Sequence, residues 1–246
     1  MRYIVADIHG CYDEFRELLA KINFSDFDEL YVLGDAMDRG PEPFKVLQDL
    51  MARPNVFYIL GNHDCAALDI FSKLTVESNA EDHLELDGSL AYRAWILDGG
   101  EITAKQFCAL SFEEKRNIVE YLSKAYAYKM IEHDGMLYIL VHAGLGGTDI
   151  DKELDEYDVE DLVWARTDYS KPRFRSDRIV LVTGHTPTRT FREDKKDLVY
   201  IGNGHIALDC GCVFGGALAA YCVETGAVTY VESRRKRDSA KRACRV

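Results

Sequence analysis

Apolar positions along the chain alternate between two periods. Residues 2–6 form a short apolar run that predicts a strand, and Tyr12, Phe15, Leu18, Leu19 and Ile22 then recur at helical spacing. A second strand is predicted over 30–33. Pro41 opens a helix, where its missing N–H costs little. A third strand is predicted over 56–60, followed by a helix through Leu68 and Phe71. Repeated strand–loop–helix order is the signature of an α/β fold. From about residue 75 to 127 the pattern changes. Leu90, Trp95, Phe107, Ile118, Tyr121 and Leu122 fall in helical stretches with charged intervals. They predict a helical insertion beside the site, serving as a lid, a specificity element or plain scaffold. Strand patterns return over 126–131, 137–141, 179–183, 217–223 and 227–231, with Asp134-Gly135 and Thr225-Gly226 as hairpin turns. A second sheet packed on the first accounts for them, so residues 1–233 read as one domain.

Five short motifs fall where predicted strands end, the place where ligands bind in α/β sheets. They are Asp7-Ile8-His9, Gly34-Asp35-Ala36-Met37-Asp38-Arg39-Gly40, Gly61-Asn62-His63-Asp64, His142-Ala143-Gly144 and Gly184-His185-Thr186. Residues i and i+2 of an extended segment point the same way, so Asp7 and His9 can grip one ion together. The Asp35 carboxylate can bridge two ions, and Asn62 offers a neutral carbonyl oxygen. His142 and His185 each follow an apolar run and sit beside glycines, which let backbone and ions approach closely. Asp, Asn and His in this number and type are what two metal ions require, and a two-metal centre beside arginines attacks phosphate esters with water.

Composition narrows the partners. The chain has 246 residues, 47% of them hydrophobic, and a net charge of -12. That charge argues against general nucleic-acid or anionic-membrane binding. It leaves a phosphorylated substrate open, because metals and arginines set the local field. No apolar run approaches the length of about 18 residues that a membrane span needs. The apolar start is too short for a signal peptide. Seven irregularly spaced cysteines suggest reduced thiols in a cytoplasmic protein, and Cys210-Gly211-Cys212 is too close-set for a structural zinc knuckle. Residues 234–246 carry seven basic side chains against Asp238 and read as a solvated or frayed basic tail. His83 and His133 read as solvated, and Asp209 as structural.

The motif set resembles the calcineurin-like metallophosphoesterase superfamily. More narrowly, it is similar to the phosphoprotein phosphatase branch, with its small bacterial and phage serine/threonine phosphatases. The resemblance covers the whole chain. It implies a four-layer α/β/β/α sandwich of two mixed sheets flanked by helices. It implies that Asp7, His9 and Asp35 hold one divalent ion and Asp35, Asn62, His142 and His185 a second. The oxygen and nitrogen donors suit Mn²⁺ first, with Fe or Zn²⁺ as alternatives. His63 becomes the general acid, Asp38 its orienting carboxylate, and Arg39 and Arg166 (in Trp164-Ala165-Arg166) the phosphate-binding arginines.

Three positions depart from the family pattern. Ala6 stands where glycine usually precedes the first aspartate, Asp64 replaces a glutamate, and His142-Ala143-Gly144 replaces His-Gly-Gly. None removes a ligand, which argues against a scaffold that has lost turnover. The expected activity is hydrolysis of phosphoserine and phosphothreonine monoesters by a dimetal-bridging hydroxide, with a phosphoprotein or phosphopeptide as partner. The alternative is diadenosine tetraphosphate (dinucleoside polyphosphate) hydrolysis. Gly10-Cys11-Tyr12-Asp13-Glu14 and the Gly61–Asp64 stretch resemble that branch as well. Its symmetrical form usually lacks the aspartate found here at Asp38.

Overall fold

The apolar runs pair into two five-stranded sheets in the computed structural model, which describes residues 1–75, 89–147 and 152–235. The first sheet combines β1 (Arg2–Val5), β2 (Glu29–Leu33), β3 (Val56–Ile59), β9 (Ala217–Cys222) and β10 (Val228–Glu232) in the order β10-β9-β1-β2-β3. β1, β2 and β3 run parallel, with Ile4 opposite Tyr31 and Val5 opposite Val32, while β9 and β10 are antiparallel. The second sheet orders β4 (Lys129–His133), β5 (Met136–Leu140), β6 (Ile179–Thr183), β8 (His205–Ala207) and β7 (Tyr200–Gly202) as β4-β5-β6-β8-β7. Its middle three strands are parallel.

Strand side chains alternate between faces, and both faces of the first sheet are buried. Ile4, Leu33 and Ile59 pack against Leu140, Val182 and Ile206 of the second sheet. Val5 and Val32 face the other way, toward helices α1 (Tyr12–Lys21), α2 (Pro43–Met51) and α3 (Asn62–Thr75) through Phe15, Leu47 and Phe71. On the outer side of the second sheet, Ile139 and Leu181 pack with Tyr157 and with Leu162 of α7 (Val159–Trp164). The four layers expected from the sequence are therefore present.

Between Leu90 and Ser123 the chain forms α4 (Leu90–Trp95), a π-turn over Ile96–Gly100, α5 (Glu101–Ala109) and α6 (Phe112–Ser123). Ser111 starts α6 with a reciprocal capping box to Glu114. Phe107 of α5 stacks on Phe71 of α3 at 3.7 Å between ring centroids, fastening this segment to the first sheet's helices. Residues 76–88 of the expected insertion, His83 among them, lie outside the described residues, as does the basic tail from 236 onward. The tail's first two residues are tied down. The Arg234 amide donates to Glu14 Oε1, and Arg235 Nη1 donates to the Val213 carbonyl.

Two boundaries differ from the sequence expectation, each for a backbone reason. The helix expected at Pro41 begins at Pro43, because the Glu42 amide bonds the Gly10 carbonyl and holds 40–42 as part of the site loop. The strand expected from 126 begins at Lys129. Tyr126 instead exchanges backbone bonds with Tyr58 and Leu60, extending the first sheet past β3.

Candidate metal centre

Asp7, Asp35, His142 and His185 each stand two residues beyond the last residue of β1, β2, β5 and β6, and Asn62 opens α3 just after β3. The strands aim these loops at one point between the sheets. The loops are bent hard. Asp7, His9, Asp35, Asp38, Arg39 and His185 all carry positive φ, between 45° and 65°. Non-glycine residues adopt that region at a cost, and such strain gathers at functional sites. Two glycines make the bends possible. A Cβ on Gly61 would collide with the Asp35 carboxylate, and one on Gly184 with that of Asp7.

The imidazoles are pre-oriented from behind. His9 Nδ1 lies 2.7 Å from the Met37 carbonyl and His142 Nδ1 2.6 Å from that of Leu33. A carbonyl only accepts, so each Nδ1–H donates and each Nε2 faces the centre unprotonated, the arrangement of metal-binding histidines. There His9 Nε2 lies 3.6 Å and His142 Nε2 3.4 Å from Asp35 Oδ2. Asn62 Oδ1 sits 2.9 Å from both His142 Nε2 and His185 Nδ1. Donor atoms of Asp35, His142 and His185 lie within 4.8 Å of one another, as do those of His9, Asp35 and His63. Both trios share Asp35. Asp7 accepts two bonds from the His185 amide, at 2.9 and 3.1 Å.

The electrostatics ask for cations. Burial holds His9 down to about 4 and His185 to about 3, and lowers His142 as well, so the imidazoles are neutral as metal ligands must be. Burial, together with Asp209 and Asp35, pushes the Asp7 carboxyl well above its ordinary range, the mark of acids packed without a counter-charge. His185 turns Nδ1 toward the centre, 2.9 Å from Asn62 Oδ1, a second acceptor with no proton to share with it. Two divalent ions fit this donor set.

His63 lies beside the centre, buried, with Nδ1 2.8 Å from Asp38 Oδ2. Burial alone would lower its pKa, but the carboxylates of Asp35 and Asp38 outweigh this and raise it. Nε2 has no hydrogen-bond partner among the described residues, although Asp98 Oδ2 stands 3.4 Å away. Arg39 Nη1 is 3.0 Å from His9 Nε2. Arg166 lies near His185, where Nη1 donates to Thr186 Oγ1 at 3.0 Å and the positive charge helps depress His185. All ten residues singled out in the sequence thus converge on one region.

Sequence reasoning missed three features. Asp98, in the π-turn, accepts from Arg39 Nη2 at 2.8 Å. Trp95 Nε1 donates to Asp38 Oδ2 at 2.7 Å, and the Asp38 amide donates to Thr103 Oγ1 at 3.1 Å. The helical segment therefore holds the Asp38–Arg39 pair from outside. Asp209, read as structural, is buried two residues past β8, the same offset as Asp7 and Asp35, and burial beside Asp35 pushes it up to about 6. That offset was the available signal. Asp64 accepts from the Asp35 and Gly61 amides and the Tyr58 hydroxyl, tying the second and third loops together.

Residues 3–209 match the calcineurin-like phosphoesterase family. The chain belongs to that family. A bis(5'-nucleosyl)-tetraphosphatase of the asymmetrical type from Geobacillus sp. (strain WCH70) is 30% identical over 244 residues, covering 89% of this chain and 88% of the relative. A symmetrical bis(5'-nucleosyl)-tetraphosphatase from Cellvibrio japonicus is 26% identical, covering 92% and 96%. Among solved structures, a candidate diadenosine tetraphosphatase superposes with a TM-score of 0.64 at 24% identity, over 94% of this chain and 93% of the other. A yeast serine/threonine phosphatase gives 0.56 at 13% identity, over 94% and 79%, which speaks for the shared calcineurin-like fold alone.

These relatives correct the expected substrate. Phosphoserine and phosphothreonine in a phosphoprotein partner give way to the dinucleoside polyphosphate alternative. The residues behind the first expectation, Asp38, Arg39, His63 and Arg166, suit a phosphoryl group of any origin and carry no information about what is attached to it. No helix among the described residues is long and apolar enough to cross a membrane.

Proposed function

We propose that this calcineurin-like phosphoesterase hydrolyses dinucleoside tetraphosphates, cutting them into unequal halves. The observation that carries the reading is the 30% identity to an asymmetrical bis(5'-nucleosyl)-tetraphosphatase across nearly the full length of both chains. The aspartate at Asp38 favours the asymmetrical type over the symmetrical one.

In this reading Asp7, His9 and Asp35 hold one ion and Asp35, Asn62, His142 and His185 the other, with Mn²⁺ favoured by mixed oxygen and nitrogen donors that include no thiolate. The ions, when bound, supply charge neutralisation at the phosphoryl oxygens and an acidified water. The chain does the rest. Arg39, beside His9, and Arg166, beside Thr186, bind the phosphoryl oxygens and fix the group's orientation. His63 carries a proton on Nε2 toward the leaving phosphate oxygen. Asp38 accepts from Nδ1, sets the tautomer and stabilises the protonated ring. Each half-product leaves as a nucleotide.

The test is initial rates on diadenosine tetraphosphate with metal-stripped protein before and after Mn²⁺ is restored. Turnover that appears only with the metal is expected. A restored protein that hydrolyses p-nitrophenyl phosphate but leaves the dinucleotide intact rules the substrate out.

A further inference from the structure

Arg166 leads away from the metal centre into a groove of about 800 Å³, within the range of roughly 300–1,000 Å³ typical of small-molecule sites. Its inner wall is aromatic. Tyr169 is buried and stacks on Phe191, with centroids 4.1 Å apart and planes 16° apart. Tyr200 packs edge-on against both, at 5.8 and 5.6 Å. The Tyr200 hydroxyl donates to the Tyr169 carbonyl at 3.1 Å and receives a bond from Asn203 Nδ2 at 3.2 Å, which locks the ring. Ile201 lines the same groove with 58% of its surface exposed.

The groove is continuous with the catalytic region. Thr186, which binds Arg166, lines it and directly follows His185. One end is thus a guanidinium beside the metal donors, and the other is a rigid aromatic and apolar wall edged by Glu193 and the Arg192–Asp194 ion pair. That polarity fits a ligand with an anionic phosphate at one end and a flat heteroaromatic ring at the other. Flat bases stack on aromatic side chains irrespective of sequence.

We infer that this groove holds one nucleoside of the dinucleoside polyphosphate, its base against Phe191 and Tyr200 and its phosphates running past Arg166 to the metal centre. The inference rests on the proposed function, and it assigns the nucleoside end of the substrate to a defined surface.

Steady-state kinetics on diadenosine tetraphosphate test it, with inorganic tripolyphosphate as competing inhibitor. Phe191→Ala should raise KM roughly tenfold, within the range lost with a base–aromatic contact, while kcat stays within about threefold. Ile201→Gln, at an exposed position that folding does not need, should raise KM about threefold. The tripolyphosphate inhibition constant should hold within about twofold in both, because that probe has no base. A KM within twofold of the unaltered protein in both variants overturns the inference. So does a tripolyphosphate constant that weakens in step with KM, since the groove would then be reading phosphate. Absence of dinucleotide hydrolysis by the unaltered, Mn²⁺-loaded protein is a separate result, and it removes the functional reading itself.

Discussion

The strand-end loops and the helical segment from Leu90 to Ser123 meet at Asp38, and they reach it by opposite means. The loops bring donors inward on strained backbone. Every residue assigned to an ion lies within four positions of a strand end, and the positive φ angles at Asp7, His9, Asp35 and His185 aim the donors at one point. The helical segment contributes no residue to the assigned donor set. It holds the Asp38–Arg39 pair through the Trp95 indole, the Thr103 hydroxyl and the Gly99 carbonyl, while the Asp98 carboxylate occupies the Arg39 guanidinium. Chemistry is concentrated in the first region and alignment in the second, so damage to the two should differ in kind.

The largest effect is expected at the shared ligand. Asp35→Asn should abolish tight binding of both ions and lower turnover by roughly 10³-fold or more, given the several kcal/mol that bound metals supply. Metal analysis of the purified variant together with kcat checks it, and normal metal content with normal turnover would remove Asp35 from its bridging place. Next comes His63→Asn. It should keep its metal and lose about 10²- to 10⁴-fold in kcat, the usual contribution of a positioned acid. Loss of metal in this variant would move His63 into the donor set, as its proximity to His9 and Asp35 allows.

Damage on the helical side should be milder. Trp95→Phe keeps an aromatic ring at the position packed against Phe71 and removes the N–H that bonds Asp38. About tenfold is expected in kcat, in line with one hydrogen bond to a charged group at roughly 1.5 kcal/mol, with metal content untouched. If kcat does not move, the segment is scaffold and the contrast between the regions collapses. The smallest change is expected for Asp98→Asn, which removes the half-exposed carboxylate paired with Arg39. Exposed pairs are worth about 0–1 kcal/mol, so freeing Arg39 for phosphate should lower KM up to about fivefold. A rise in KM would mean that Asp98 positions Arg39 and does not compete for it.

The same contrast explains what the sequence could tell. The donors were legible because each sits a fixed step beyond an apolar strand, so a local pattern places it. Asp209 shares that step, but it lacked a histidine or asparagine beside it and read as structural. The grip on Asp38 was illegible, since Trp95 and Thr103 lie 57 and 65 residues away and reach it only through helix packing. The start of β4 was misjudged because Tyr126, apolar and strand-like, pairs with the other sheet. Substrate identity was hidden for a chemical reason: residues suited to a phosphoryl group serve protein and nucleotide substrates alike, and a surface such as the groove beside Arg166 is assembled from several loops between Arg166 and Asn203 that no local pattern joins.

The most direct measurement is the product analysis of diadenosine tetraphosphate hydrolysis by the Mn²⁺-loaded protein, with nucleotides separated by chromatography at early times. Equal amounts of AMP and ATP are predicted. ADP as the sole product, or an unreacted dinucleotide, would contradict the account.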